Sequence, residues 1–259
     1  MNLNRLKNRK KHNSKRFIEI DIIRGLAIIL MIFGHILWDL DYFGVSPINN
    51  GIYSSLQKVV PQMFFLVVGI GLIVSRKKKE LSKETEKRYY HHLVVRGFKI
   101  IGLGMVLTIF SLVFIPKTPV FFGVLHCIGL SIIISVPFLI FRKYNFIFAL
   151  LLIVLGLLFS QIAVQNPTIL HLILGLQPEN IWSFTVDYFP LLPWFGVVLL
   201  GISIGDILYS GDKRRFRLPD LERYKPAKLC SWIGHHSLEI YLLHQPVIAG
   251  FMYLFVRSF

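Results

Sequence analysis

Seven stretches of this chain are apolar for long enough to cross a lipid bilayer: roughly residues 17–38, 57–75, 96–115, 123–141, 146–164, 187–209 and 229–256. A hydrocarbon core of about 30 Å needs about 20 helical residues to span it. Backbone groups in lipid have no water to bond, so only helices and closed barrels satisfy them there. Barrel strands alternate polar and apolar side chains, whereas "IIISVPFLIF" and "FALLLIVLGLLFS" are apolar almost throughout. The sequence therefore predicts an all-α, polytopic membrane helical bundle of about seven transmembrane helices. Composition agrees: 54% of the 259 residues are hydrophobic and only 17% are charged, where a soluble domain carries about 25%.

The first apolar run follows a strongly basic segment of sixteen residues, seven of them Lys or Arg, and precedes no small-residue cleavage site, which predicts a retained helix rather than a signal peptide. Residues 1–16 read as a basic cytoplasmic tail and 17–259 as a single transmembrane domain. No internal repeat is visible, so the inverted-repeat design of many transporters has no support. The formal charge of +15 could suggest nucleic acid, but its distribution argues otherwise. Lys and Arg cluster in residues 1–16, 76–99, 142–143 and 213–228, leaving Lys58, Lys117 and Arg257 in the alternate loops or ends. Seven crossings from a cytoplasmic N-terminus put every basic cluster on one side, as the positive-inside rule requires. The charge thus predicts a cell-membrane protein with its N-terminus inside and its C-terminus outside, in contact with lipid and not with nucleic acid.

Between the spans, "RKKKELSKETEKRYYHH" suits a helical extension, whereas "GDKRRFRLPDLERYKPAK" suits an irregular loop. On the other side, "PTILHLILGL" within residues 165–186 suits a short interfacial helix. Cys127 and Cys230 fall about a membrane thickness apart, beyond disulfide reach, and no metal-ligand spacing is present.

Against this background the polar residues inside the spans carry the information, because a charge in hydrocarbon costs at least about 2.5 kcal/mol. In "DIIRGLAIILMIFGH", Arg24 and His35 are eleven residues apart. At 100° per residue they share a face and lie about 16 Å apart along the axis. Asp21 is three residues before Arg24 and Asp39 four after His35, so each is one turn from its neighbour. Asp39 could orient the His35 ring and leave its other nitrogen as a base. Asp21–Arg24 alone equally suits a structural ion pair with a snorkelling arginine.

His126 enters the fourth span at a depth similar to His35, flanked by Gly123 and Gly129. Asp187 sits beside Pro190 and Pro193 at the mouth of the sixth span, where it suits either a polar rim or a solvated anchor with Tyr188 and Trp194. In the last span Ser237, Tyr241 and His244 follow i, i+4, i+7 and form an inward polar stripe. His35, His126, Asp187 and His244 therefore fall in the outer half of the bundle, with Arg24 in the inner half. These ionisable groups suit an enzyme, and equally a small proton-coupled or substrate transporter. A structural partner of another membrane enzyme is a third reading.

Four segments in order, "EIDIIRGLAIILMIFGHILWDLDYFG", "FFGVLHCIGLS", "YFPLLPWFGVVLLGISIGD" and "IGHHSLEIYLLHQPV", resemble the heparan-α-glucosaminide N-acetyltransferase catalytic-domain family. The D-x-x-R-G-x-A…H pattern is more loosely similar to acyltransferase family 3. The resemblance implies transfer of an acyl group from a cytosolic CoA-type donor, typically acetyl-CoA, to an acceptor hydroxyl or amine on the far side. That acceptor would be a glycan or a small molecule, and no tightly bound cofactor or metal is implied. Carried over by motif, Arg24 and His35 match the R-G and the histidine of the first helix, and His126 and His244 match positions in the fourth and last motifs.

The implied site has Arg24, Asp21, Arg96 and Lys99 at the donor, and His35, Asp39 and His126 at the chemistry. Asp187, Tyr241 and His244 would flank the acceptor. His35 would act as general base or carry the acyl group covalently. The lysosomal branch has asparagine at the position of His35 and an essential histidine in the next outer segment. This chain has no histidine between Ile36 and Pro61, so that branch's acceptor and mechanism are not carried over. A homodimer is neither required nor excluded by any feature of the sequence.

Overall fold

A computed structural model of the chain describes residues 16–81, 85–211 and 213–257, apart from the side chains at 143 and 255–257. The expected tail lies outside these residues except for Arg16. Among the described residues the α-helices are α1 (Ile18–Tyr42), α2 (Asn50–Leu81), α3 (Glu86–Phe114), α4 (Val124–Phe141), α5 (Asn145–Phe159), α6 (Ile169–Leu174), α7 (Leu191–Leu208), α8 (Lys225–His235) and α9 (Ser237–Arg257). Five of them, α1 to α4 and α7, are long and apolar enough to cross a membrane. The protein is an all-α membrane bundle, as its apolar runs require.

Three boundaries differ from the sequence reading. The expected fifth span shortens to α5, because the chain turns at Ser160–Gln161, ahead of the polar stretch that leads to Pro167. The sixth begins at Leu191 rather than 187, since Pro190 is its N-cap and Leu192 departs from helical geometry ahead of Pro193. The seventh is not one helix. His236, at φ −97° and ψ 24°, separates α8 from α9 within Gly234-His-His-Ser, where glycine and serine hold a helix weakly.

Packing is organised around α7, which lies against α2, α4 and α5, while α1 lies against α2, α8 and α9. The central core comprises Phe65, Leu72 and Ile73 of α2, Ile128 and Ile132 of α4, and Val198, Leu199 and Ile202 of α7. Lipid offers helices no hydrophobic reason to associate, so close backbone approach supplies the attraction. At the α2–α7 seam, a Cβ on Gly69 would strike the Val198 carbonyl and one on Gly201 would strike that of Leu66. The α1–α8 seam repeats the device with Gly25 against the Cys230 carbonyl and Gly234 against that of Asp21.

One end of the bundle is tied together by cations on helix C-termini, where carbonyls lack helical partners. Arg76, buried at the end of α2, donates to the Leu139 carbonyl of α4 and pairs with Glu80 and Glu86. Lys77 donates to the carbonyls of Asp206 (2.8 Å) and Tyr209 (2.7 Å) and pairs with the Asp206 carboxylate at 2.6 Å.

The loop expected to be irregular instead begins by pairing β2 (Lys213–Arg214) antiparallel with β1 (Tyr209–Ser210), just ahead of it. Arg214 grips Glu19 of α1 at 2.7 and 2.8 Å, and the Tyr209 hydroxyl donates to the same carboxylate. At the opposite end, α6 forms where "PTILHLILGL" predicts it. Thr168 caps it by accepting from the His171 N–H, and His171 Nδ1 accepts from the Thr168 N–H in return.

Candidate functional site

α1 joins two polar regions across a buried apolar stretch. Arg24 lies in its second turn and His35 three turns on, with Ile28 and Met31 buried between them. The i, i+3 spacing lets Arg24 Nη1 reach Asp21 Oδ1 at 3.3 Å, and Arg16 holds the same carboxylate at 2.5 and 2.9 Å. Gly71 of α2 makes room for the guanidinium, since a Cβ there would lie 2.9 Å from Arg24 Nη2. Arg96 of α3 is within electrostatic reach of Arg24. Arg16 and Arg24 thus share one carboxylate while exposed Arg96 adds positive charge nearby, a balance that favours an anion. Lys99 is exposed one turn beyond Arg96.

At the other end the His35 and His244 rings lie 4.8 Å apart, inclined at 56°. His244 Nδ1 is 2.6 Å from the Tyr241 carbonyl. In the neutral ring that contact fixes the proton on Nδ1, because a carbonyl only accepts, and it leaves Nε2 with a lone pair. Nε2 is buried and has no partner among the described residues. The Tyr241 ring packs 5.6 Å from that of His244, and its hydroxyl is within electrostatic reach of Asp187.

Asp187 lies outside the membrane-spanning helices, on the extended approach to α7. Parallel backbone pairing of Phe122 with Tyr188 zips this approach against the start of α4. The Asp187 carboxylate is thereby laid over the α4 N-terminus, where it accepts from the Val124 N–H at 3.3 Å. Burial, opposed by that N–H, pushes its carboxyl up to about 6. A helix-capping role adds to the two readings the sequence left open for this residue.

Two expected arrangements differ in the structure. Asp39 has no hydrogen bond to His35 among the described residues. Its carboxylate, 1% exposed, accepts instead from Gln245 Nε2 at 3.1 and 3.2 Å. Gln245 is not among the expected site residues, although it lies in the last family-like segment directly after His244. His126 is buried at the α3–α4 seam, stacked 5.8 Å from Phe122 and pressed against Gly104. It does not join the ring contacts that link His35, His244 and Tyr241. Neither His126 nitrogen has a partner among the described residues, nor does the Thr108 hydroxyl. Cys127 and Cys230 are free thiols, and no metal-binding group of three ligands occurs among the described residues.

Helices that carry a cationic cluster at one end and a buried histidine pair at the other define a multi-pass membrane protein with polar groups inside its bundle. Residues 16–246 match the family described as heparan-alpha-glucosaminide N-acetyltransferase, catalytic, and the chain belongs to that family. The matched span contains both polar ends, from Arg16 to Gln245. Membership makes the chain a transferase of the membrane acetyltransferase class. No curated protein matches the chain.

Proposed function

We propose that the protein is an acyl-CoA-dependent acyltransferase of the cell membrane. It moves an acetyl group from a cytosolic donor to a hydroxyl or amine acceptor, such as that of a sugar, at the outer face. The observation that carries this reading is the pairing of unlike ends on α1: surplus guanidinium at Arg24, paired imidazoles at His35, with buried apolar packing between. A CoA-type donor needs cations for its phosphates, which Arg24 and Arg96 supply with Asp21 orienting the former, and exposed Lys99 adds charge nearby. Its long thiol-bearing arm then runs along the bundle and presents the thioester near His35 and His244.

At that end His244 Nε2 and Gln245 Oε1 are buried acceptors without partners among the described residues. Such groups call for a ligand that donates hydrogen bonds, as a hydroxyl or an amine does. In the transfer step the acceptor gives its proton to an imidazole nitrogen and its heteroatom bonds the acyl carbon. The carbon–sulfur bond breaks, and the thiolate leaves with the proton returned by the imidazolium. The tautomer of His244 suits it to take that proton, with His35 packed against it. Seven crossings are made by α1 to α5, α7 and the broken α8–α9 unit. The basic clusters put the Arg24 end in the cytoplasm.

The test is incubation of purified protein in lipid nanodiscs with radiolabelled acetyl-CoA and a panel of amino and hydroxyl acceptors. Label should pass to an acceptor, and His244→Ala or His35→Ala should abolish the transfer. Normal transfer by both variants would refute the histidine assignment. Failure of acetyl-CoA to stabilise the protein against heat would favour a transporter, which has no reason to bind it.

A further inference from the structure

The histidine pair belongs to two separate helices, so something must set how α9 is rotated against α1. Apolar packing does this loosely: Ile240 and Tyr241 rest on the cluster of Ile28, Met31 and Val60. Directional bonds do it tightly. Among the described residues, the only hydrogen bonds between α1 and α9 are the two from Gln245 Nε2 to Asp39. Asp39 lies one turn beyond His35, and Gln245 is the residue after His244. The bridge therefore spans the helices at the level of the imidazoles.

The amide can point only one way, because the reverse orientation would set Gln245 Oε1 against carboxylate oxygens. Pro246 follows at once, and its missing N–H leaves the Leu242 carbonyl without its helical donor. Beyond it, Val247 and Phe251 are largely exposed.

As a source of stability the bridge is poorly made. Asp39 is a buried carboxylate whose hydrogen bonds among the described residues come from one neutral amide nitrogen, and burying a charge so weakly compensated is unfavourable. A buried charge of this kind inside a membrane bundle points to function rather than to stability. We propose that Asp39 and Gln245 are the positioning residues of the histidine pair. Their bridge fixes the rotation of α9 so that His244 Nε2 faces the His35 ring. The inference rests on the acyltransferase reading for its kinetic consequence, but not for its structural one.

The test uses full-length protein in lipid bilayers with isotopically labelled histidine. Solid-state NMR reads the through-space correlation between the His35 and His244 rings without any substrate. Gln245→Leu, which keeps the volume but removes the donor, should lose that correlation. Asp39→Asn, whose side-chain oxygen still accepts from Gln245, should retain it.

The exchange Asp39→Asn with Gln245→Glu reverses the bridge, with the amide now donating from residue 39, and should restore the correlation lost in Gln245→Leu. In the acetyl-transfer assay, Gln245→Leu should lower kcat by about 100-fold, the scale of a misplacement near 1 Å. KM for the donor should stay within about twofold. The exchanged pair should recover most of kcat. A ring correlation that survives Gln245→Leu, or an exchange that recovers neither readout, would overturn the proposal. If the wild-type protein transfers no acyl group, the acyltransferase reading fails while the NMR comparison still decides the bridge. Should Gln245→Leu not fold, the Asp39→Asn and exchanged proteins carry the same comparison, and loss of the correlation in both would overturn it.

Discussion

His244 donates from Nδ1 to the Tyr241 carbonyl at 2.6 Å, three residues back on its own helix. That bond commits the proton of the neutral ring to one nitrogen and turns the other toward the bundle interior as a bare acceptor. Replacing His244 with Phe keeps a flat ring in the packing but removes the lone pair. Acetyl transfer should fall by about 10²–10⁴, the usual contribution of a general base. Thermal stability should change little. A turnover number within threefold of wild type would remove His244 from the chemistry.

Arg24 of α1 and Arg96 of α3 are within electrostatic reach of each other, and like charges so placed favour an anionic ligand. Arg24→Gln and Arg96→Gln should each weaken acetyl-CoA binding by about 10- to 100-fold, the loss expected for one hydrogen bond to a charged group. Dephospho-CoA titrations by calorimetry would show which arginine serves the 3′-phosphate. Unchanged affinity in both variants would move the donor site elsewhere.

The Gly69–Gly201 seam between α2 and α7 leaves no room for a side chain. Gly201→Leu should destabilise the bundle by about 1–3 kcal/mol or more, since the obstacle is backbone and cannot swing aside. Gly102→Leu, on an open face of α3, should have little effect. Fluorescence unfolding of the two proteins in one detergent measures the difference.

Asp187 gives a pH dependence whose sign follows from its burial. Its carboxyl titrates near 3.8 when unfolded and is pushed up to about 6 in the folded protein. The folded state therefore binds the proton more tightly. Stability from this group is full below about pH 4, is lost as pH rises through about 6, and is flat above. The difference in melting temperature between wild type and Asp187→Asn should follow that curve, and a difference independent of pH from 4 to 7 would contradict it.

What the sequence revealed here was mostly local or one-dimensional. Spans such as α1 and α4 follow from hydropathy alone, because lipid demands long apolar helices. Asp21–Arg24 follows from i, i+3 spacing, and α6 from Thr168 ahead of an apolar run. The break at His236 was hidden because apolar residues continue on both sides of it.

Contacts between helices distant in the chain were beyond any spacing rule. Spacing pairs Asp39 with the histidine one turn away, but an amide on the last helix claims it. The sequence puts His126 at the depth of His35, yet depth does not give rotation, and its ring turns to Gly104. The hairpin at 209–214 is held by Glu19 of α1, a partner no loop sequence could reveal.

The central claim is that acyl donor and acceptor meet inside one bundle from opposite sides of the membrane. Proteoliposomes of known orientation, given radiolabelled acetyl-CoA only on the side of the basic loops, test this most directly. Label should appear on acceptor supplied only to the opposite side, and exchanging the compartments of the two substrates should abolish it. Transfer only when donor and acceptor share one compartment would contradict the account.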